Sequence, residues 1–185
     1  MLSWSQTLFL TINSMVGKNK LRDTFFYICG QYLIWVLILI NIFLFPVGLY
    51  AHEMVGFLGL FFCATFLAYG VSYLIALRIK HPRPIVEFPH IKELIVPLST
   101  WKSFPSDHTI AAVILATSAM FLSGAPEWSF LFFSLAALVM AGRIYCGVHY
   151  PRDIVGGIVV ALCAMMVTVL LFAIFMNRFF TCCLV

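Results

Sequence analysis

Long apolar runs separated by short polar clusters dominate this chain. An α-helix needs roughly 20 apolar residues to cross the hydrocarbon core of a bilayer. Measured against that length, the pattern predicts five membrane-spanning helices, at about residues 25–45, 55–77, 108–122, 128–145 and 154–175. We therefore expect a bundle of helices embedded in a membrane.

A shorter amphipathic segment precedes the first predicted span. Residues 2–15 are too few and too polar to cross a bilayer, and Trp4, Leu8 and Ile12 recur at helical spacing. This pattern is typical of a helix that lies in the membrane interface. The expected fold is thus an all-α polytopic membrane bundle of about five spans plus an N-terminal interfacial helix, with residues 1–185 forming one domain.

Composition supports a membrane protein and excludes several other classes. Hydrophobic residues make up 63% of the chain and charged residues only 10%, which is far from the balance of a soluble domain. The net charge is +4, but no run of Lys and Arg lies on a soluble face, so we expect no nucleic-acid partner. The six cysteines lack the spacing of a zinc site or a disulfide framework.

Three polar clusters, at residues 81–84, 104–108 and 142–153, interrupt the apolar pattern. Burying such groups costs several kcal/mol unless they are paired or used. The first cluster follows the second predicted span and the second cluster precedes the third. Spans three and four then cross and return, so the parity of the spans places all three clusters on one side of the membrane.

The side chains gathered there suit a phosphoryl group. Arg83 and Arg143 carry guanidinium groups, whose paired N–H donors match phosphate oxygens, and Lys80 or Lys102 could add charge. Ser106 stands where a loop becomes a helix, a position at which free backbone N–H groups bind anions.

Two histidines supply candidate chemistry. His149 and Asp153 are four residues apart, so the carboxylate can fix the imidazole tautomer and leave the other nitrogen as a nucleophile or base. His108 is then left as a proton donor. A metal site using these residues and Asp107 is the weaker alternative, because the arginines would repel a cation. We expect no metal and no cofactor.

These motifs resemble the type-2 phosphatidic acid phosphatase superfamily over about residues 78–153. Arg83-Pro84, Pro105-Ser106-Asp107-His108, Arg143 and the pair His149 and Asp153 follow the family's order and spacing. Within the superfamily the chain is most similar to the bacterial undecaprenyl-diphosphatases, which carry Asp inside Pro-Ser-Asp-His.

The resemblance implies a role for each matching residue. His149 would form a phosphohistidine, Asp153 would orient it and His108 would protonate the leaving group. The phosphate-binding set would be Arg83, Ser106, Asp107 and Arg143. The family's leading lysine falls at Ala76 here, so Lys80 or Arg78 would have to supply its charge.

The implied function is removal of the terminal phosphate of undecaprenyl diphosphate, which recycles the lipid carrier of peptidoglycan synthesis. The expected partners are an isoprenoid lipid diphosphate and membrane lipids, and homo-oligomerisation stays open. Ten of the eleven Lys and Arg residues fall on the side of the site, which by charge alone indicates the cytoplasm. The resemblance instead implies the bacterial inner membrane with the site facing outward.

Two other kinds of function remain open from the sequence. The first is a phosphatase for phosphatidylglycerophosphate or phosphatidate, because the motifs recognise the phosphate and not the lipid tail. The second is a transporter or channel subunit that binds anions without turnover. The second is disfavoured because the predicted spans carry few ionisable residues away from the polar end.

Overall fold

The computed structural model describes residues 2–48, 51–97 and 99–183, with side chains described outside 45–48, 51–53 and 175–183. All regular elements in that part of the chain are helices. The helices are α1 (Trp4–Asn13), α2 (Lys20–Gln31), α3 (Leu33–Gly48), α4 (Ala51–Arg78), α5 (Pro84–Glu87), α6 (Asp107–Ser123), α7 (Ser129–Tyr145) and α8 (Pro151–Cys183). A 3₁₀ turn, Pro126–Trp128, leads into α7. The all-α prediction is confirmed.

The predicted spans correspond to helices of different kinds. Met54–Arg78, Pro126–Tyr145 and Pro151–Ile174 are long and apolar enough to cross a membrane. The first predicted span is a pair, α2 and α3, bent by 46° at Tyr32. The third is α6, whose 17 residues reach about 25 Å, short of the roughly 30 Å hydrocarbon core. The structure thus supports three crossings, or four with the bent pair, and five crossings stays a prediction.

Helix α6 lies at the centre of the bundle. On one side its alanines, Ala112, Ala116 and Ala119, pack with residues of α3 and α7. On the other side Ile110 and Val113 pack with residues of α4 and α8. Small side chains let neighbouring helix backbones approach closely, which is how helices associate in a membrane without a hydrophobic driving force. The polar start of α6 is thereby held in the middle of one end of the bundle.

Helix α1 is present as predicted, and it packs on the bundle through one face. Ser5, Phe9 and Asn13 are buried, whereas Trp4 and Leu8 are 64% and 45% exposed. Burial of the first set fixes the helix to the protein and leaves the apolar pair facing outward. Contact of this outward face with a membrane interface stays a prediction.

Helices α2 and α7 approach each other closely at Gly30 and Gly142. A Cβ atom added at Gly30 would come within 2.9 Å of the Gly142 carbonyl carbon, a backbone atom that cannot rotate away. The same contact brings the Gly30 carbonyl within 3.2 Å of Arg143 Nη1, which donates a hydrogen bond to it. The two glycines therefore set the position of a candidate site residue.

We expect Gly30→Ala to lower stability by about 1–3 kcal/mol, because the added methyl group overpacks the α2 and α7 contact. The thermal unfolding midpoint in detergent measures the effect. Gly59→Ala is the matched control, since nothing lies within 4 Å of its added Cβ. An unchanged midpoint in Gly30→Ala would contradict the close contact.

Candidate active site

His149 lies in the turn between α7 and α8 and is only 2% exposed. Its Nε2 atom is 3.3 Å from Arg83 Nη1. A guanidinium group has only donors, so Nε2 is the acceptor in this contact and the ring proton is on Nδ1. His149 Nδ1 in turn faces Asp153 Oδ2 at 3.6 Å, an ion-pair distance longer than a hydrogen bond. The geometry leaves a lone pair on Nε2 beside an arginine.

Asp153 is fully buried in the first turn of α8, and three donors approach its Oδ2 atom. Ser103 Oγ donates to it at 2.6 Å and the Tyr150 backbone N–H at 2.8 Å, and the third is the His149 ring. Removing an isolated carboxylate from water costs several kcal/mol, and these donors offset that cost. The carboxylate is thus fixed in place before any substrate binds.

Arg83 is held by backbone carbonyl groups. Its Nε atom donates to the Ser99 carbonyl at 2.6 Å and its Nη1 atom to the Val148 carbonyl at 2.9 Å. Burial lowers the pKa of Arg83, and the nearby carboxylates of Asp153 and Asp107 oppose that shift. Its Nη2 atom has no hydrogen-bond partner among the described residues, so an N–H edge remains for a phosphate oxygen.

Arg143 is 4% exposed at the end of α7 and lies within electrostatic range of Arg83. Beyond its bond to the Gly30 carbonyl, its buried Nε atom has no partner in the described part of the chain. An unpaired buried donor costs about 1–3 kcal/mol. A substrate oxygen would remove that cost.

The start of α6 completes this end of the bundle. Ser106 is buried as the N-cap, and its Oγ atom accepts from Thr109 N at 3.4 Å. The Ser106 backbone N–H donates to the Asp153 carbonyl at 3.1 Å, which ties α6 to α8. His108 lies within electrostatic range of Arg143, His149 and Arg83. Both histidines therefore lie at one end of the bundle, among the arginines.

For three residues expected to bind phosphate, that role stays a prediction. The Asp107 carboxylate accepts from Lys102 Nζ and from Ser72 Oγ, and an ionised carboxylate has no proton to donate to a phosphate oxygen. Arg78 and Lys80 are exposed, and neither makes a side-chain hydrogen bond or ion pair to a residue that the structure describes. Ala76, at the position of the family's lysine, is buried.

Sequence reasoning missed the contacts by which α1 and the long loop that joins α4 to α6 support His149. Ser5 Oγ accepts from the Arg152 backbone N–H at 3.0 Å, and the Phe9 ring packs edge-on against Tyr150 with centroids 5.2 Å apart. Ser103 was also missed, because a serine between Lys and Phe carries no motif. Helix α1 carries a second set of side chains at helical spacing, Ser5, Phe9 and Asn13, which faces inward. That spacing is the only sequence signal that could have indicated the contacts of α1.

Burial, together with the charges of Arg83 and Arg143, lowers the pKa of His149 to about 4, against the opposing effect of Asp153. The imidazole is therefore neutral at physiological pH, as a nucleophile must be. Burial raises the pKa of the neighbouring Cys146 thiol to about 12, so that thiol stays protonated. Of these two groups, only the imidazole is in its reactive form.

We expect His149 in the wild-type protein to take up a proton only near pH 4, whereas an unfolded histidine does so near 6.5. Because the unfolded state binds the proton first, the neutral ring favours folding above about pH 6.5, and this contribution is lost as the pH falls toward 4.

Arg83→Met should raise the protonation midpoint of His149, since it removes a neighbouring positive charge.

The midpoint can be followed by NMR of ¹⁵N-histidine-labelled protein in detergent. Lys20→Met, which removes an exposed charge at the start of α2, serves as the control and should leave the midpoint unchanged. A wild-type midpoint near the unfolded value would contradict the buried, cation-flanked environment.

Comparison with known proteins agrees with this geometry. The sequence profile of the PAP2 superfamily matches residues 57–178. The chain is 31% identical to the undecaprenyl-diphosphatase BcrC of Bacillus subtilis over 157 residues, which is 84% of this chain and 77% of that protein. It is 28% identical to the lipid A 4'-phosphatase of Porphyromonas gingivalis over 170 residues, 85% of this chain and 68% of that protein.

A solved structure shares the fold. The crystal structure of LpxE from Aquifex aeolicus superimposes with a TM-score of 0.72 at 26% sequence identity, covering 91% of this chain and 96% of the other. The likeness extends well beyond the region of the motifs.

Proposed function

The chain belongs to the PAP2 superfamily of membrane phosphatases, and we propose that it removes the terminal phosphate of a polyprenyl diphosphate, with undecaprenyl diphosphate as the substrate. The observation that carries the proposal is the environment of His149. A neutral imidazole with its Nε2 lone pair beside Arg83 and its other nitrogen facing Asp153 is arranged to attack an anionic phosphorus centre.

The proposed reaction has two steps. In the first, His149 Nε2 forms a bond to the terminal phosphorus, the bond from that phosphorus to the bridging oxygen breaks, and its electron pair stays on the leaving lipid monophosphate. Arg83 and Arg143 stabilise the charge on the transferred group, and His108 stands at the leaving oxygen as proton donor. In the second, water attacks the phosphohistidine, inorganic phosphate leaves and the imidazole is regenerated.

Two observations support a lipid diphosphate as the substrate. The first is the similarity to an undecaprenyl-diphosphatase over most of both chains. The second is an apolar groove of about 600 Å³ between α4, α6 and α8, bounded on α6 by Ile114 and Phe121. Those residues lie about 9 and 20 Å along α6 from His108, so a long lipid tail could extend into the groove from the site.

A lipid monophosphate is the second candidate substrate. It is favoured by the similarity to a lipid A 4'-phosphatase, which covers as much of the chain as the first relative does. Membership of a phosphatase superfamily, together with a neutral buried imidazole, leaves the non-catalytic transporter without a supporting observation.

The proposed location is the bacterial inner membrane, with the site on its outer face. Recycling of a polyprenyl carrier after cell-wall synthesis requires hydrolysis of the diphosphate that is released on that side. By charge alone, the excess of basic residues at the site end would indicate the cytoplasm, and we attribute part of that excess to phosphate binding.

We expect His149→Ala and His108→Ala each to abolish release of inorganic phosphate from undecaprenyl diphosphate in detergent, with a loss on the order of a thousandfold or more. The wild type should form an acid-labile phosphoenzyme that His149→Ala cannot form, and chelator should have little effect. His90→Ala, in the exposed part of the loop, is the control. Near-normal turnover by His149→Ala would refute the assignment of His149 as the nucleophile.

The identity of the substrate is tested with a panel of lipid phosphates and diphosphates. We expect purified protein to release phosphate fastest from undecaprenyl diphosphate when that lipid is compared with phosphatidate, phosphatidylglycerophosphate and lipid A at equal concentrations. The measurement is kcat/KM for each lipid. Faster hydrolysis of any of the monophosphates would replace the proposed substrate by the second candidate.

A further inference from the structure

Lys102 is a cation of the loop before α6 to which the mechanism above gives no role. Its side chain is only 12% exposed, and Nζ lies 2.6 and 2.7 Å from the two carboxylate oxygens of Asp107. Ser72 Oγ of α4 donates to the same carboxylate at 2.9 Å, and the Tyr69 hydroxyl donates to the Asp107 carbonyl at 3.3 Å. Asp107 is thus held by two residues of α4, and it holds the ammonium group in turn.

The backbone around Lys102 belongs to the site. The carbonyl groups of Ser99 and Thr100 accept from Arg83, and Ser103 Oγ donates to Asp153. Lys102 therefore stands on a segment whose flanking residues hold the phosphate-binding arginine and the carboxylate partner of His149. Its own partner, Asp107, directly precedes His108, the proposed proton donor to the leaving group.

The charges around Lys102 explain why a carboxylate holds its ammonium group. The ammonium group contacts Asp107, which lies within electrostatic range of Arg83, and Arg83 lies within range of Arg143. An unpaired ammonium group on this side of the site would be repelled by those arginines. Asp107 offsets that repulsion. An ammonium group has three N–H donors, and the two oxygens of Asp107 use two of them. The third has no partner among the described residues and is available to a substrate oxygen.

We propose that Lys102, positioned by Asp107 and Ser72, binds the phosphate that stays on the lipid and so makes the site selective for lipid diphosphates over lipid monophosphates. This inference rests on the proposed phosphatase reaction. The two substrate classes differ in what leaves. A diphosphate loses its terminal phosphoryl group to His149 and leaves a phosphate anion on the lipid, whereas a monophosphate leaves an alkoxide oxygen that takes up a proton and departs as a neutral alcohol.

The difference in leaving groups decides where a cation helps. The second pKa of a phosphate monoester is about 6, so a lipid monophosphate departs as an anion and gains from a nearby ammonium group. An alkoxide oxygen that has taken the proton of His108 carries no charge for a cation to stabilise, whereas a leaving lipid monophosphate is still an anion after one protonation. A fixed ammonium on the side of His108 is therefore an advantage for the first class only.

The test compares farnesyl diphosphate with farnesyl monophosphate, which share a tail and differ by one phosphate. In Lys102→Met with Asp107→Asn, which removes the ammonium without leaving an unpaired carboxylate, kcat/KM for the diphosphate should fall on the order of tenfold to a hundredfold. The monophosphate rate should change by no more than a factor of about two. Lys102→Arg in the wild-type background should retain most of the preference for diphosphate.

A second readout does not depend on monophosphate turnover. Inorganic pyrophosphate should inhibit the wild type more strongly than inorganic phosphate, and the double variant should lose that difference. Lys20→Met, an exposed cation on α2, is the control for net charge. The proposal would be overturned if kcat/KM of the double variant fell equally for both substrates, or if the ratio of the two inhibition constants were unchanged. Lys102 and Asp107 would then serve only the packing of the loop. A wild type that hydrolyses neither lipid would instead refute the phosphatase reaction itself.

Discussion

A buried imidazole between a guanidinium group and a carboxylate is the constraint on which the rest of this structure depends. Burial and the neighbouring cations hold the pKa of His149 far below its ordinary value, so the ring stays neutral and able to attack. Each of those charges is costly to bury alone, so each needs its own donors or acceptors. Arg83 finds them in backbone carbonyl groups, and Asp153 finds them in Ser103 and the start of α8.

That requirement explains why three distant parts of the chain meet at one end of the bundle. Close packing of small residues along α6 brings the helix start, with Ser106 and His108, under the turn that carries His149. The glycine contact between α2 and α7 sets the position of Arg143 in the same way. The apolar part of the bundle thus positions the polar end, although no charged side chain lies within its core clusters.

The sequence was informative where the physics is local. Apolar run length located the helices, and the four-residue interval between His149 and Asp153 placed an imidazole beside a carboxylate. It failed where position depends on tertiary packing. The bend at Tyr32 divides an apolar stretch that was expected to form one span. Nothing in the order of residues shows that Asp107 contacts Lys102 while Arg78 and Lys80 are exposed. The inward face of α1 was hidden because its exposed apolar residues dominated the pattern.

The support that the long loop gives to Arg83 comes from main-chain oxygens and not from side chains. Ser99 and Thr100 could therefore be replaced by many other residues over evolutionary time while the guanidinium group kept its place, because every residue type offers the same carbonyl. A change in the number of residues in this loop would be far more damaging than a change in their identity. Comparison of related sequences should accordingly find this segment variable in composition and constant in length.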